Sequence, residues 1–336
     1  MRYLRRPGRI ILLVSLYLCC MAVTGCLTSS THVSKSTSVN TEHQPISAHT
    51  TPQNAGTCTK ASPIKAGTTK NQSVPAQPAV ARGQNYRTYL VHVPALYDPK
   101  KSFPVVIVFH GHGGSAESTE QGTGFSQLAD KEHFIAVYPQ GLRDDNQLFM
   151  WASIGPFDYN IDETAFMNTM LDKITKDFCV DTQRVYATGF SNGGGMSGFV
   201  ACQLSTRIAA VAPIAGNYYP LQAGCYPKRP VPLLEIHGSN DSTVPYNGIS
   251  ATVNPQWPLP PVLDWLHDWA QRNGCTKGPE NFFHDGETSG LRWTNCRQDA
   301  TIMHYRIEGG EHSIPAMIGN QPTQQVIWNF FKLHSL

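Results

Sequence analysis

The stretch Arg184-Val185-Tyr186-Ala187-Thr188-Gly189-Phe190-Ser191-Asn192-Gly193-Gly194-Gly195 decides how the rest of the chain is read. Arg184 to Thr188 reads as a strand, and a helical pattern runs on from the glycines through Gln203. Between them stands G-x-S-x-G. A strand that turns sharply into a helix holds the serine in a strained conformation, and small neighbours keep side chains from colliding there. The helix amino terminus then points at Ser191, which favours the negative charge that develops in acyl transfer. The five-residue pattern arises by chance in a chain with 28 glycines. Its place between strand and helix is what makes it informative.

A serine at its ordinary pKa is a poor nucleophile, so a histidine must accept its proton and a carboxylate must orient that histidine. In this arrangement the chain order is serine, acid, histidine. Ile236-His237-Gly238-Ser239-Asn240-Asp241 follows an apolar strand and places Asp241 at its carboxyl end, where active sites of parallel sheets form. Asp264 and Asp268 read as the solvent face of a helix, and Asp285 as part of a polar loop. For the base, Gly309-Gly310-Glu311-His312-Ser313 lies between the last strand and the final helix. Among 13 histidines, His312 alone combines chain order, a strand end and a glycine-rich loop. His304 falls within a strand, and His284 and His334 have no such setting.

An oxyanion needs two preorganised N–H donors. Asn192 supplies one by position. His110-Gly111-His112-Gly113-Gly114, directly after the strand ending at Phe109, suits the other, through the N–H of His112 or alternatively Gly111. The His-x-His pair reads as a turn rather than a metal site, since no third ligand is evident. No G-K-[ST] follows these glycines, so they do not form a phosphate loop. No metal or cofactor is expected.

Outward from this centre, short apolar runs alternate with helical patterns, the sign of a mostly parallel sheet with helices on both faces. Tyr89 to Val93 alternates like an early edge strand, whereas Phe103 to Phe109 is continuously apolar, as a strand buried on both faces should be. Further strands are predicted at Phe134–Tyr138, Arg184–Thr188, Ile208–Ile214, Val231–Ile236 and Ile302–Ile307. Glu163 to Phe178 carries Phe166, Met167, Met170, Leu171 and Ile174 at helical spacing, a core-facing stripe like that of Val326, Ile327, Phe330 and Phe331. One catalytic domain over residues 82–336 accounts for all of this.

The amino terminus differs in kind. A basic stretch ending at Arg9, an apolar run of about fifteen residues and small residues before Cys26 read as a signal peptide over residues 1–25. The run falls short of the roughly twenty residues that span a bilayer. Val23-Thr24-Gly25-Cys26 resembles a bacterial lipobox, which implies lipidation at Cys26 and a membrane partner reached through that anchor. The alternative is cleavage nearby and plain secretion. Residues 26–81 are rich in Ser, Thr, Pro, Gln, Lys and Ala, with no aromatic residue from Tyr17 to Tyr86, and read as a disordered tether. Six cysteines remain beyond Cys26, and export suggests that they form disulfides, with Cys275–Cys296 favoured.

With 40% hydrophobic and 15% charged residues the chain should bury a core. The net charge of +2 is concentrated in Arg2, Arg5, Arg6 and Arg9, and without them acids slightly outnumber bases. Such a body is not a nucleic-acid binder.

Taken together, the Ser191 stretch, Phe109-His110-Gly111, Tyr138-Pro139-Gln140-Gly141 and His237-Gly238 with Asp241, Val244, Pro245 and Tyr246 resemble the α/β-hydrolase superfamily. More narrowly, the chain is similar to secreted esterases grouped with polyhydroxybutyrate depolymerases and feruloyl or acetylxylan esterases, over about Tyr86 to Leu336. The resemblance implies an α/β-hydrolase fold, with nucleophile at Ser191, acid at Asp241 and base at His312. It also implies carboxylic-ester hydrolysis through an acyl-enzyme, on feruloyl or acetyl polysaccharide or a polyhydroxyalkanoate. Members often carry Gly-His-Thr-Trp-Pro-Gly around the base; here the segment is Glu311-His312-Ser313-Ile314-Pro315-Ala316, and Ile314 stands where the tryptophan would be. Trp151 and Trp257, in polar loop-like surroundings, are candidates to stack on a sugar or phenolic ring. Two other readings compete: a serine peptidase of the same fold, and a non-catalytic surface lipoprotein on a hydrolase scaffold.

Overall fold

The computed structural model describes residues 58–152, 155, 159–221 and 224–336. The expected signal peptide over residues 1–25, Cys26 and the first part of the expected tether lie outside the described residues.

The first strand is β1 (Thr68–Pro75), followed by β2 (Tyr86–Val93) and β3 (Phe103–Phe109). Helices α1 (Ala116–Thr123) and α2 (Phe125–Glu132) lead to β4 (Ile135–Pro139), and a small hairpin pairs β5 (Leu142–Arg143) with β6 (Phe149–Met150). Then come α3 (Glu163–Asp177), β7 (Val180–Phe190), α4 (Asn192–Gln203), β8 (Ala210–Ile214), β9 (Leu233–Gly238) and α5 (Val262–Asn273). The chain closes with β10 (Lys277–Asp285), β11 (Thr288–Thr294), β12 (Ile302–Ile307), the short pair β13 (Met317–Ile318) and β14 (Gln321–Pro322), and α6 (Thr323–Phe331).

Ten strands form one sheet in the order β1-β2-β4-β3-β7-β8-β9-β12-β11-β10. The six from β4 to β12 run parallel, and antiparallel pairs finish each edge. This is the α/β-hydrolase architecture that the family resemblance implied.

The period of two along β3 divides the core. Phe103, Val105, Ile107 and Phe109 pack on the face covered by α3, α4 and α5. Val106 and Val108 pack on the other, against Phe125 and Leu128 of α2 and Ile327, Trp328 and Phe331 of α6. With both faces covered, every residue of β3 is buried, which is why it reads as an unbroken apolar run. At the start of α3, Asp162 accepts a hydrogen bond from the Ala165 N–H (2.8 Å) and so caps the helix. Its buried Glu163 meets Arg87 of β2 at 2.9 Å.

Three expectations are corrected. Residues 58–81 are not tether: β1 pairs with β2 along its whole length, Ile64 and Val74 are buried, and Cys58 is bonded to Cys179. An edge strand needs one core-facing residue and a backbone ladder, so a polar, aromatic-free composition hides it. For the same reason β2 is not the edge. The polar segment after Cys275 is not a loop but the β10–β11 hairpin, turning at Gly286 with φ 55°. The side chains of β10 are mostly exposed, so the alternation that marks a strand is weak there.

The remaining cysteines pair as Cys202–Cys225 and, as expected, Cys275–Cys296, the latter at the base of the hairpin. The Cys58–Cys179 bond closes the longest loop, with a sequence separation of 121 residues. Replacing both cysteines with serine should lower unfolding stability by about 2–4 kcal/mol, measured by urea denaturation against the unmodified protein.

Candidate active site

Ser191 sits where β7 ends and α4 begins, with φ 58° and ψ −121°. A residue bearing a Cβ rarely adopts this conformation, and its neighbours hold it there. The Ser191 N–H donates to the Ile214 carbonyl of β8 at 2.9 Å, and the Ser191 carbonyl accepts the Gly195 N–H at 3.0 Å to open the helix. Gly193 allows the helix start to press on β3: a Cβ there would lie 2.4 Å from the Phe109 carbonyl oxygen.

Two later loops bring the other side chains to this bend. The loop after β9 and the loop after β12 are stitched together by Asn240 N–H to Gly310 O (2.9 Å) and Gly309 N–H to Ser239 Oγ (2.8 Å). Between them His312 Nδ1 lies 2.7 Å from Asp241 Oδ2, and His312 Nε2 lies 2.9 Å from Ser191 Oγ. An ionised carboxylate only accepts, so the proton on Nδ1 faces Asp241 and Nε2 presents its lone pair to the serine hydroxyl. The Phe190 ring packs on the imidazole with centroids 4.7 Å apart.

Asp241 is buried, and its second oxygen, Oδ1, accepts the N–H groups of Thr243 (2.9 Å) and Val244 (2.7 Å). Burial by itself would raise this carboxyl, but hydrogen bonds from His237, His312 and the Val244 N–H hold it down at about 2. The carboxylate is therefore ionised throughout the neutral range.

The glycine-rich loop after β3 runs beside the serine. A Cβ on Gly111 would stand 3.4 Å from Ser191 Cβ. His110, which the sequence marked only as part of a turn motif, braces this loop. Its Nε2 accepts the Gly141 N–H (2.9 Å), so Nδ1 carries the proton and donates to the Gly111 carbonyl (2.8 Å). Burial lowers the pKa of this ring to about 4, which keeps it neutral. His112 turns its imidazole to Asp144, with Nε2 2.8 Å from Oδ2. Asn192 is the first residue of α4, so its N–H has no partner within the helix. Its side chain clasps the Trp151 backbone, with Oδ1 accepting the N–H at 2.6 Å and Nδ2 donating to the carbonyl at 3.2 Å.

Trp151 is not a stacking platform. It is fully buried, packs edge-on against Phe109 at 5.1 Å, and donates its indole N–H to the His110 carbonyl at 2.9 Å. Its sequence neighbours Leu148, Phe149, Met150 and Ala152 are apolar, a signal of an interior position that the loop reading passed over. Trp257 is half-buried in the segment after Tyr246 and is not among the residues lining the cavity next to Phe190, whose wall includes neither Ser191 nor His312.

That cavity, about 310 Å³, is bounded by Phe109, Gly111, Phe125, Phe190, Ile314 and Ile327. Ile314, the departure from the related motif, thus forms part of its wall.

Residues 85–222 match the family described as Esterase PHB depolymerase. The chain has the α/β-hydrolase fold and is similar to esterases of the polyhydroxybutyrate depolymerase and feruloyl esterase group. Among relatives, feruloyl esterase B of Piromyces equi is 31% identical over 258 residues, covering 74% of this chain and 46% of that protein. The chain thus spans about half the length of that relative. A probable feruloyl esterase C of Aspergillus terreus is 27% identical, with 76% of this chain and 88% of that one covered. Among solved structures, an acetyl xylan esterase from Aspergillus awamori superposes with a TM-score of 0.56 at 14% identity, over 78% of this chain and 99% of that one. At that identity the likeness speaks for the fold.

The depressed pKa of Asp241 has a definite stability consequence. A carboxyl held below its unfolded value of 3.8 contributes stability that is complete above that value and is lost as pH falls towards 2. Urea denaturation of the unmodified protein and of Asp241→Asn should therefore show a gap at neutral pH that narrows at about pH 3.

Proposed function

We propose that the protein is an exported serine esterase that hydrolyses polysaccharide-linked carboxylic esters through an acyl-enzyme, with Ser191 as nucleophile, His312 as general base and Asp241 as its orienting acid. The observation that carries this reading is the continuous pair of hydrogen bonds from Asp241 through His312 to Ser191 Oγ. His312 Nε2 takes the hydroxyl proton as Ser191 attacks the ester carbonyl. The N–H of Asn192 and that of His112, or alternatively Gly111, stabilise the tetrahedral oxyanion, and His312 then delivers the proton to the departing alcohol. Water, deprotonated by the same imidazole, releases the acid and restores the serine.

For the acyl group, the named feruloyl esterase relatives and the apolar-walled cavity beside Phe190 favour a hydroxycinnamoyl ester over an acetyl or hydroxybutyryl one.

The Ser191→Ala protein should keep its circular dichroism spectrum and melting transition while kcat falls by about 10⁴-fold or more. Undiminished turnover in that variant sinks the assignment. Initial rates on methyl ferulate, acetylated xylan fragments and hydroxybutyrate oligomers should rank in that order, with peptide amides left uncut. A reversed ranking moves the substrate to another branch of the family.

The basic and apolar amino terminus and the lipobox-like Val23-Thr24-Gly25-Cys26 support a cleaved signal over residues 1–25 and a diacylglycerol on Cys26. Three disulfides accord with an oxidising compartment. From Cys26 to the beginning of the described residues the chain would serve as the tether. Cys26→Ser should move the protein from the membrane to the soluble fraction in a bacterial host, read by fractionation and intact mass; an unlipidated Cys26 in the unmodified protein rejects the anchor.

A further inference from the structure

Behind Asp241 the polar contacts continue into the core. His237, on β9, sets its Nε2 2.9 Å from the Val244 carbonyl and 3.4 Å from Asp241 Oδ2. Its Nδ1 lies 2.9 Å from Glu235 Oε1. The side chains of Glu235, His237 and Asp241 are all fully buried. Each nitrogen of the ring thus faces an oxygen acceptor. Against an ionised Glu235, a neutral imidazole with its one N–H would turn its remaining lone pair onto the lone pairs of an oxygen, so with that carboxylate charged only the doubly protonated ring satisfies both sides.

The surrounding groups agree with a cation there. Glu235 Oε1 also accepts the Tyr218 hydroxyl at 2.9 Å. Its Oε2 stands 2.7 Å from His304 Nδ1, close but poorly aligned for a hydrogen bond, and His304 Nε2 meets the Tyr246 hydroxyl at 2.8 Å. Arg306 lies over the Tyr246 ring, and Glu308, further out, pairs with Arg306 at 2.9 Å. Two carboxylates, Glu235 and Asp241, therefore flank one imidazole in the interior. Burial works against the charged ring, yet the Glu235 carboxylate, Asp241 and the Val244 carbonyl raise its pKa well above the ordinary histidine value. Burial likewise opposes the Glu235 carboxylate, which the His237 charge keeps ionised.

We propose that His237 is a permanently protonated positioning residue, a buried imidazolium held by Glu235, whose charge orients Asp241 and restrains proton uptake by His312. The inference rests on the reading of Ser191, His312 and Asp241 as a catalytic triad. Its physical content is a balance of charge. Asp241 alone would draw a proton onto His312, and a protonated His312 cannot accept one from Ser191. A cation on the far side of the carboxylate weakens that pull while the carboxylate still aims the ring.

Two measurements test it. In the full chain carrying ¹⁵N-labelled histidine, both ring nitrogens of His237 should stay protonated between about pH 5 and pH 9. A single-proton ring at neutral pH overturns the proposal. In His237→Gln, the acid limb of the kcat/KM profile on an aryl ester should move up by roughly one pH unit, with Glu235→Gln moving it less in the same direction. Lower stability with an unmoved limb means that the residue only packs, and overturns the proposal as well. Should both variants fail to fold, the ring measurement on the unmodified protein decides alone. Failure of the triad reading is separately visible as activity retained in Ser191→Ala, which leaves the His237 ring signals untouched.

Discussion

The backbone at Ser191 is held at φ 58° and ψ −121°, a region that costs a residue with a side chain about 1–3 kcal/mol and persists only where its surroundings over-determine it. Here they do. The Ser191 N–H is committed to β8, its carbonyl starts α4, and the bare Cα of Gly193 lies against the end of β3. Three neighbouring strands therefore converge on one hydroxyl. Because β3 passes directly into the His110–Gly114 loop, the contact that fixes the bend also delivers the glycine-rich loop to its side. Braces on that loop come from His110, Trp151 and the Asn192 side chain, all of them buried.

The imidazole and the carboxylate reach this bend by a different logic. They ride on loops after β9 and β12, strands that are parallel neighbours in the sheet, so their carboxyl ends open side by side. Gly238 and Gly310 let the two loops touch: a Cβ on Gly238 would lie 2.2 Å from the Gly310 oxygen. The interior side of this junction is charged rather than apolar. Glu235, His237 and Asp241 follow one another behind the imidazole with fully buried side chains, and a buried carboxylate persists only with a compensating partner.

Much of this was legible beforehand because it is local. A parallel strand covered on both faces shows as an apolar run, and β3 appears between the same limits in sequence and structure. The turn at Ser191 demands small residues on both sides, so it announces itself as a five-residue pattern. Other elements left weaker marks. The edge strands β1 and β10 bury little, and their polar residues look like tether and loop. Trp151 follows the two-residue strand β6, too short to show a period, and its indole fills the interior next to Phe109. Glu235 and His237 carried one unread signal, a glutamate inside an otherwise apolar strand.

The amino-acid order by itself determined the strand–turn–helix at Ser191, the succession of serine, acid and histidine, and the six parallel strands that carry them. Each of these follows from steric or periodic requirements acting over a few residues. Only the tertiary structure decided that His312 stands 2.9 Å from Ser191 Oγ across 121 positions of chain, that Cys58 bonds Cys179, and that Asp241 leans on a buried histidine and glutamate. Those pairings depend on which strands become neighbours in the sheet. That choice minimises exposed apolar surface over the whole domain, and no short window of sequence contains it.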